Sequence, residues 1–155
     1  GICYAGGLEA ALTCDFIYAD EGARFALTEC KIGIMPGNMG TQNLPRAVGE
    51  RRAKELILSA QPFTAAEAHE WGMVNKLCAL GTVVDEALIT AEKIADCAPL
   101  SVRQAKKAIH IGLQTDLHSA YRYELEAYYP LLKTEDRKEG IAAFNEKRKA
   151  HFQGR

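Results

Sequence analysis

Two glutamates are the residues whose context in this sequence points most clearly to chemistry. Glu9 follows two glycines at the start of an apolar segment, and Glu29 follows a strand-like segment and precedes a glycine-rich loop. If the fold buries both carboxylates in one apolar cleft, burial and mutual repulsion separate their pKa values, so one can act as an acid and the other as a base. On the residues alone, the simpler alternative for Glu9 is a first-turn carboxylate that interacts with the helix dipole, worth about 0.3 to 1 kcal/mol.

Glycines beside these glutamates indicate how the backbone takes part. Gly6 and Gly7 precede a helix and leave their N–H groups unobstructed, which is one way to build an oxyanion hole. A tight strand-to-helix turn is the alternative. In the later loop, the spacing of Gly33, Gly37 and Gly40 predicts a backbone that comes close to another group. This loop matches neither the dinucleotide fingerprint nor the P-loop.

Other catalytic and metal-binding patterns are not marked in the sequence. His69-Glu70 lacks a second histidine four residues after the first, and His110, His118 and His151 show no ligand spacing, so no metal site is predicted. No serine lies in a G-x-S-x-G elbow. A Cys-His pair stays open, but nothing marks one. The five cysteines form no C-x-x-C pair, which predicts reduced, core-packed thiols of an intracellular protein.

Composition limits the class of protein further. The chain has 155 residues and a mass of 17.0 kDa, with 48% hydrophobic and 25% charged residues. These proportions are typical of globular rather than disordered or fibrous proteins. The net charge of -1 provides no field that would attract nucleic acid or an anionic membrane. The longest uncharged stretch, residues 32–45, contains two prolines and is too short to span a membrane.

The elements that must position the glutamates change in type along the chain. Periodicity predicts a short helix from Gly7 to Thr13, strands over residues 16–19 and 24–27, and no strand after Thr41. Capping boxes at Thr64 and Thr82 each predict a helix start. The predicted later helices cover residues 51–59, 64–72, 82–95, 99–113, 117–130 and about 141–148. Strands in the N-terminal part of the chain and helices in the C-terminal part predict an α/β fold.

The first residues predict that this sequence is part of a longer domain. Residues 1–9 are an apolar, glycine-spaced segment without an initiator Met or a polar leader. Two or three short strands with a free edge also make a poor sheet by themselves. We therefore expect an N-terminal portion to be missing.

Several groups of residues form a more specific pattern. They are Gly1, Gly6, Gly7, Glu9, Cys14 and Asp15; Phe25, Glu29, Gly33, Pro36, Gly37, Gly40, Thr41, Gln42 and Leu44; Arg46 to Gly49; Ala65, Glu67, Ala68 and Gly72 to Val74; and Glu139, Gly140, Ala142, Phe144, Glu146, Lys147 and Arg148. This pattern closely resembles the enoyl-CoA hydratase/isomerase (crotonase) family. The resemblance covers essentially the whole chain, but only the C-terminal half or so of the family's domain.

The resemblance implies a spiral of ββα repeats, truncated here at the N-terminus, followed by a helical trimerisation region. Residues 1–50 are then expected to hold the end of the spiral with the active-site glutamates. Residues 51–155 are expected to serve oligomerisation and to close the CoA and acyl pocket. The implied partners are an acyl-CoA thioester substrate of fatty acid metabolism and further copies of the chain, in a trimer or a hexamer made of two trimers. No cofactor is implied, because coenzyme A is part of the substrate.

The resemblance also implies roles for four residues near the N-terminus. Glu9 and Glu29 match the two catalytic glutamates of the hydratases, Gly6 matches the second oxyanion-hole glycine, and Gly37 matches a glycine that helps to place the catalytic water. Because both glutamates are present, the resemblance favours a lyase that adds water syn and reversibly to trans-2-enoyl-CoA. The alternatives are an isomerase or another acyl-CoA dehydratase of the family, and a non-catalytic CoA-binding or assembly module.

Candidate CoA contacts lie in the basic C-terminal tail, at Phe144 and Lys147, for which the alternative is a solvated helix face. Three departures from the family pattern are present: Ala5 replaces a frequent glycine, Asn38-Met39 replaces smaller residues, and Asn43 replaces a frequent arginine. Met39 is expected to alter the acyl pocket. The family's other oxyanion donor belongs to its N-terminal portion, so residues 1–155 alone are expected to be inactive. The expected compartment is the bacterial cytoplasm or the mitochondrial matrix, and no targeting signal is visible in the sequence.

Overall fold

A computed structural model describes residues 1–155, and the chain folds into two compact units, Gly1–Leu88 and Ile89–Arg155. That residues 1–50 hold the active-site part of the fold, and residues 51–155 serve oligomerisation and pocket closure, stays a prediction. The elements of the first unit are β1 (Ile2–Tyr4), α1 (Gly6–Ala11), β2 (Tyr18–Asp20), β3 (Arg24–Ala26), a 3-10 helix (Glu29–Ile32), α2 (Gly40–Val48), α3 (Glu50–Ser59), β4 (Phe63–Thr64), α4 (Ala65–Glu70) and β5 (Lys76–Cys78). Helix α5 (Val83–Ala95) runs through the boundary between the units.

Two small sheets organise the first unit. β3 lies between β1, which is parallel to it, and β4, which is antiparallel to it; β2 and β5 form a separate parallel pair. The mixture of helices and parallel strands confirms the predicted α/β fold class. Helix α1 follows β1 after a single residue, so the chain turns sharply at Ala5.

Aromatic and aliphatic side chains fill the core of the first unit. The Phe63 ring stacks on Phe25 at a centroid distance of 5.7 Å and contacts Trp71 at 5.5 Å. Leu8 of α1 and Leu44 of α2 are fully buried in the same core. Because each such side chain contributes about 1.5 to 3 kcal/mol when fully buried, these contacts hold α1 and α2 against the sheet.

The prediction of no strand after Thr41 is wrong, since β4 and β5 both lie beyond it. β4 has only two residues, Phe63 and Thr64, and its pairing to β3 is what makes it a strand. β5 likewise depends on its partner β2. Segments this short carry no readable alternation of polar and apolar residues, so the sequence pattern could not reveal them.

One of the two predicted capping boxes is confirmed. The Thr64 hydroxyl accepts from the Glu67 N–H at 3.1 Å, and the Glu67 carboxylate accepts from the Thr64 N–H at 2.7 Å. Hydrogen bonding to Thr64 also lowers the pKa of Glu67. At the second predicted box the helix begins at Val83, directly after Thr82 as predicted, and the Thr82 hydroxyl donates to the Ala79 carbonyl at 2.9 Å. The side-chain bonds of this second box stay a prediction.

The second unit is helical. It contains the end of α5 and then α6 (Pro99–Gly112), α7 (Leu117–Tyr128), a 3-10 helix (Tyr129–Lys133) and α8 (Glu135–Glu146). Pro99 opens α6, as predicted. Asp136 is buried and fastens the end of the chain, because its carboxylate accepts from the N–H groups of Gln153 at 2.6 Å and Gly154 at 2.8 Å. No helix in the chain combines the length and the apolar character needed to cross a bilayer.

The prediction of core-packed cysteines is largely wrong. All five thiols are free, but Cys78 is the one that is buried, Cys3 is half-buried, and the remaining three are exposed. Burial raises the pKa of the Cys3 thiol. The number and spacing of cysteines indicate that they are free but not how deeply each is buried, because burial depends on which side of a helix or strand faces the core.

Candidate active site

Parallel pairing of β1 and β3 brings both glutamates to one edge of the sheet. Tyr4 pairs with Ala26, so the two strands end side by side. Glu9 lies on the helix that follows β1, and Glu29 begins the 3-10 helix that follows β3. Twenty residues separate them in sequence, and the strand pairing places the starts of both following elements at the same end of the sheet. Both side chains are buried, with exposed fractions of 4% and 7%.

Ala5 makes the turn from β1 into α1 in an unusual backbone conformation. Its φ is 49° and its ψ is -127°, in a region that L-residues with a Cβ rarely occupy. The Ala5 N–H donates to the Ala26 carbonyl at 2.8 Å, and its own carbonyl accepts from the Glu9 N–H at 3.0 Å. The strained residue therefore joins the sheet edge to the helix that carries Glu9.

The Glu9 carboxylate is held by the backbone of the glycine-rich loop. Its Oε1 atom accepts from the Asn38 N–H at 2.8 Å and from the Gly40 N–H at 3.0 Å. Its Oε2 atom makes no hydrogen bond to protein and keeps some solvent contact. The loop's approach to Glu9 is the close contact that the glycine spacing predicted, but the roles of Asn38 and Gly40 were missed, because spacing does not name the partner.

Glu29 differs from Glu9 in its hydrogen bonding. Its Oε2 atom is buried and has no hydrogen-bond partner. An unsatisfied buried carboxylate oxygen is costly and rare in native proteins, so it calls for an explanation beyond folding. Glu29 lies in a short 3-10 helix that ends at Gly33, whose φ of +81° suits glycine. Oε2 of Glu29 is therefore a buried polar atom that the fold leaves without a partner.

The two glycines predicted to bind substrate both offer free donors. Gly6 opens α1, where the first N–H groups of a helix have no partner within it. Neither the Gly6 nor the Gly37 N–H donates to a protein acceptor. A Cβ built at Gly6 would meet nothing within 4 Å, so the space beside this N–H is open. The assignment of Gly6 to the substrate oxygen and of Gly37 to the catalytic water stays a prediction. No group of three or more His, Cys, Asp or Glu side chains is arranged to hold a metal ion.

Phe144 and Lys147, the candidate CoA contacts, lie at the end of α8 in the second unit. Phe144 is 84% exposed, and Lys147 caps the helix in the left-handed conformation, with φ of 55°. Arg148 fixes this turn through Glu139, with Nη1–Oε1 and Nη2–Oε2 distances of 2.6 and 2.9 Å. The guanidinium of Arg148 and the N–H of His151 hold the pKa of Glu139 at about 2. Arg148 lies beyond the end of α8, although a helix was predicted to include it.

Comparison with known proteins gives a consistent set of relatives. A family model described as Enoyl-CoA hydratase/isomerase matches residues 1–155. The chain is 41% identical over 152 residues to "Enoyl-CoA hydratase, mitochondrial" of Pongo abelii, covering 98% of this chain and 52% of that protein. It is 43% identical over 155 residues to "Probable enoyl-CoA hydratase" of Rhizobium meliloti (strain 1021), covering 100% of this chain and 60% of that protein.

A solved structure of an enoyl-CoA hydratase from Bacillus anthracis superposes with a TM-score of 0.98 at 44% identity. The match covers 100% of this chain and 60% of that one. The chain thus spans between about half and three-fifths of the length of these relatives.

Relief of the strain at Ala5 provides a first test of this geometry. We expect Ala5→Gly to raise the free energy of unfolding by about 1 kcal/mol, because removing a strain of about 1 to 3 kcal/mol outweighs the extra backbone entropy of glycine. Urea unfolding measures the difference. The control is Ala66→Gly, inside α4, which should lower stability by about 1 kcal/mol. A loss of stability at both positions would show that Ala5 is not strained.

The depressed pKa of Glu139 predicts a pH dependence in the second unit. The folded pKa of about 2 lies below the ordinary glutamate value of 4.5, so the stabilisation is present above about pH 4.5 and is lost as pH falls toward 2. Glu139→Gln should therefore destabilise the protein near pH 7 and converge with wild type near pH 2. Urea unfolding at several pH values tests this, with Glu126→Gln, an exposed residue of α7, as the control. A difference that does not change with pH would contradict the prediction.

Proposed function

Because the chain belongs to the enoyl-CoA hydratase/isomerase (crotonase) family and has its α/β fold, we propose that the full-length protein containing it adds water reversibly to trans-2-enoyl-CoA and gives 3-hydroxyacyl-CoA. The protein is then a lyase. The observation that carries the proposal is a pair of buried carboxylates at one sheet edge whose hydrogen bonding differs. Glu9 has one oxygen bonded twice, and Glu29 has a buried oxygen with no partner.

This difference supports separate roles for the two acids. Glu9, held through Oε1, has Oε2 available to take a proton from water as the water oxygen forms its bond to C3 of the substrate. The electron pair of the C2–C3 double bond moves toward the thioester, and Glu29 delivers a proton to C2. Hydration leaves the proton on Glu9 and the charge on Glu29, so one proton transfer through solvent restores the starting state. Acid-base transfer of this kind contributes typically 10² to 10⁴-fold.

Gly6 supports the larger electrostatic part of the proposed reaction. Negative charge develops on the thioester oxygen as the enolate forms, and an unpaired backbone N–H at a helix start is suited to receive it. Loss of one such donor costs on the order of 3 to 4 kcal/mol. The resemblance assigns the other oxyanion donor to the N-terminal portion of the family's domain, so we propose that residues 1–155 alone do not turn over substrate. Gly37, beside the Glu9-binding loop atoms, is the proposed backbone donor to the catalytic water.

The proposed acyl-CoA substrate agrees with the side chains available in each unit. In the first unit, Ile34, Met35 and Met39 are large apolar residues on the glycine-rich loop with exposed fractions of 60% to 68%. They suit an acyl chain. In the second unit, the exposed side chains of Phe144 and Lys147 suit an adenine ring and a phosphate of CoA. No cofactor beyond the CoA of the substrate is proposed.

We also propose that the full-length protein is a homo-oligomer, a trimer or a dimer of trimers. An apolar groove of about 700 Å³ lies between α6 and α7 in the second unit. It is lined by Ile109, Leu113, Leu117 and Tyr121, with exposed fractions of 58% to 79%. Exposed apolar patches of this kind commonly mark interfaces. The proposed compartment is the bacterial cytoplasm or the mitochondrial matrix, in line with the bacterial and mitochondrial relatives.

Loss of either glutamate should abolish most hydration. In the full-length protein, Glu29→Gln and Glu9→Gln should each lower kcat for crotonyl-CoA hydration by about 10² to 10⁴-fold, because each removes one proton transfer. Glu21→Gln, an exposed glutamate of the β2–β3 turn, is the matched control and should retain activity. Unchanged hydration by Glu29→Gln would overturn the assignment. Comparing 2-enoyl and 3-enoyl thioesters separates a hydratase from an isomerase, and CoA binding without turnover would favour a binding module.

A charge in the α6–α7 groove should disrupt assembly. We expect Leu113→Lys, at a side chain that is 79% exposed, to shift the full-length protein toward monomers, because a buried lysine would be unpaired in the interface. Sedimentation velocity measures the change. Leu80→Lys, at an equally exposed position outside the groove, is the control. An unchanged oligomer in the groove variant would exclude this face as the interface.

A further inference from the structure

We infer that the loop between Pro36 and Gly40 is a positioning element that fixes which oxygen of Glu9 exchanges the proton. The inference rests on the proposed function and adds a part of the machinery that side-chain chemistry alone does not reveal. Its elements are the backbone N–H groups of Asn38 and Gly40, the missing side chain of Gly40 and the left-handed backbone of Met39.

The two donors determine where a proton on Glu9 can reside. A carboxylate oxygen offers two lone pairs, and Oε1 uses them to accept from the N–H groups of Asn38 and Gly40 at 2.8 and 3.0 Å. Because an N–H can only donate, a proton placed on Oε1 would break one of these bonds. The proton is therefore restricted to Oε2, the oxygen that has no protein partner. The two donors also prevent the carboxylate from rotating.

Gly40 has to be a glycine for this contact to form. A Cβ on Gly40 would lie 2.8 Å from Oε1 and 3.1 Å from Cγ of Glu9, and 2.9 Å from Cβ of Pro36. Pro36 is fully buried and cannot move aside easily. Any side chain at residue 40 therefore pushes against the carboxylate that its own N–H holds.

Met39 directs the two N–H groups to the same oxygen. Its φ of 70° and ψ of 3° are left-handed, a conformation that is unfavourable for a residue other than glycine. A left-handed residue between two donors turns both N–H groups to one side, as in the anion-binding nests of protein loops. The Met39 carbonyl accepts from the N–H groups of Gln42 at 3.0 Å and Asn43 at 2.8 Å, so helix α2 holds the strained residue in place.

Kinetics of Gly40→Ala in the full-length protein test the inference. We expect kcat for crotonyl-CoA hydration to fall about 10²-fold while KM stays near the wild-type value, because a small displacement of the base impairs chemistry rather than binding. In a Glu9→Ala background, adding Gly40→Ala should have little further effect, since the residue acts through Glu9. The control is Gly22→Ala, a turn glycine without a positive φ and with nothing within 4 Å of its added Cβ.

Hydrogen exchange provides a readout that does not depend on activity or on the folding of Gly40→Ala. In Glu9→Ala, two amides of the peptide covering residues 37–41 should exchange faster than in wild type, because their acceptor is gone. Unchanged exchange would overturn the inference, and so would a Gly40→Ala variant with wild-type kcat or with equal losses in both backgrounds. If the wild-type protein hydrates no enoyl-CoA, the proposed function fails, and the exchange measurement alone then decides whether the loop holds Glu9.

Discussion

A carboxylate in a protein interior must find hydrogen-bond donors, and the site depends on how Glu9 finds them. Glu9 is buried because α1 packs its apolar side, including Leu8, against the core. The donors come from a loop more than 25 residues later in the chain, at Asn38 and Gly40. That loop can reach Glu9 only because β1 and β3 are parallel neighbours, so that the segments following each strand emerge at the same edge. The hydrogen bonds that the buried Glu9 carboxylate requires thus connect α1 with the loop before α2, at the edge where β1 and β3 end.

The three buried acids of the chain show what separates a structural carboxylate from a reactive one. Asp136 has both oxygens bonded, by the N–H groups of Gln153 and Gly154, and it ties down the end of the chain. Glu9 has one oxygen bonded twice, and Glu29 has a buried oxygen with no partner. A folded protein gains nothing from an unsatisfied buried oxygen, whereas a proton-transferring group needs an oxygen that no other protein group already occupies. Hydrogen-bond state therefore distinguishes these acids better than burial does.

Two of the three non-glycine residues with positive φ in the first unit lie near Glu9. Ala5 and Met39 are each next to a segment that contacts Glu9, whereas the third, Ala60, follows the end of α3. Ala5 links the end of β1 to α1, and Met39 lies between the two donors of the loop. Both are held by several backbone hydrogen bonds, which offset the cost of the conformation. The strained backbone at Ala5 and Met39 thus directs the neighbouring N–H and C=O groups toward the segments that hold Glu9.

By themselves, residue types and spacing determined the α/β class, most helix bounds, the Thr64 capping box and the family, because periodicity, caps and motifs are local properties of the chain. They also identified Glu9 and Glu29 as candidates, and glycine spacing indicated a close backbone contact without naming its partner. Strands β4 and β5 escaped prediction, since two or three residues become a strand only through a neighbour. Tertiary structure alone decided which cysteine is buried, that Gly40 holds Glu9, and that one oxygen of Glu29 is unpaired. The reason is that burial and hydrogen-bond satisfaction depend on segments that are distant in sequence and meet only when the strands pair.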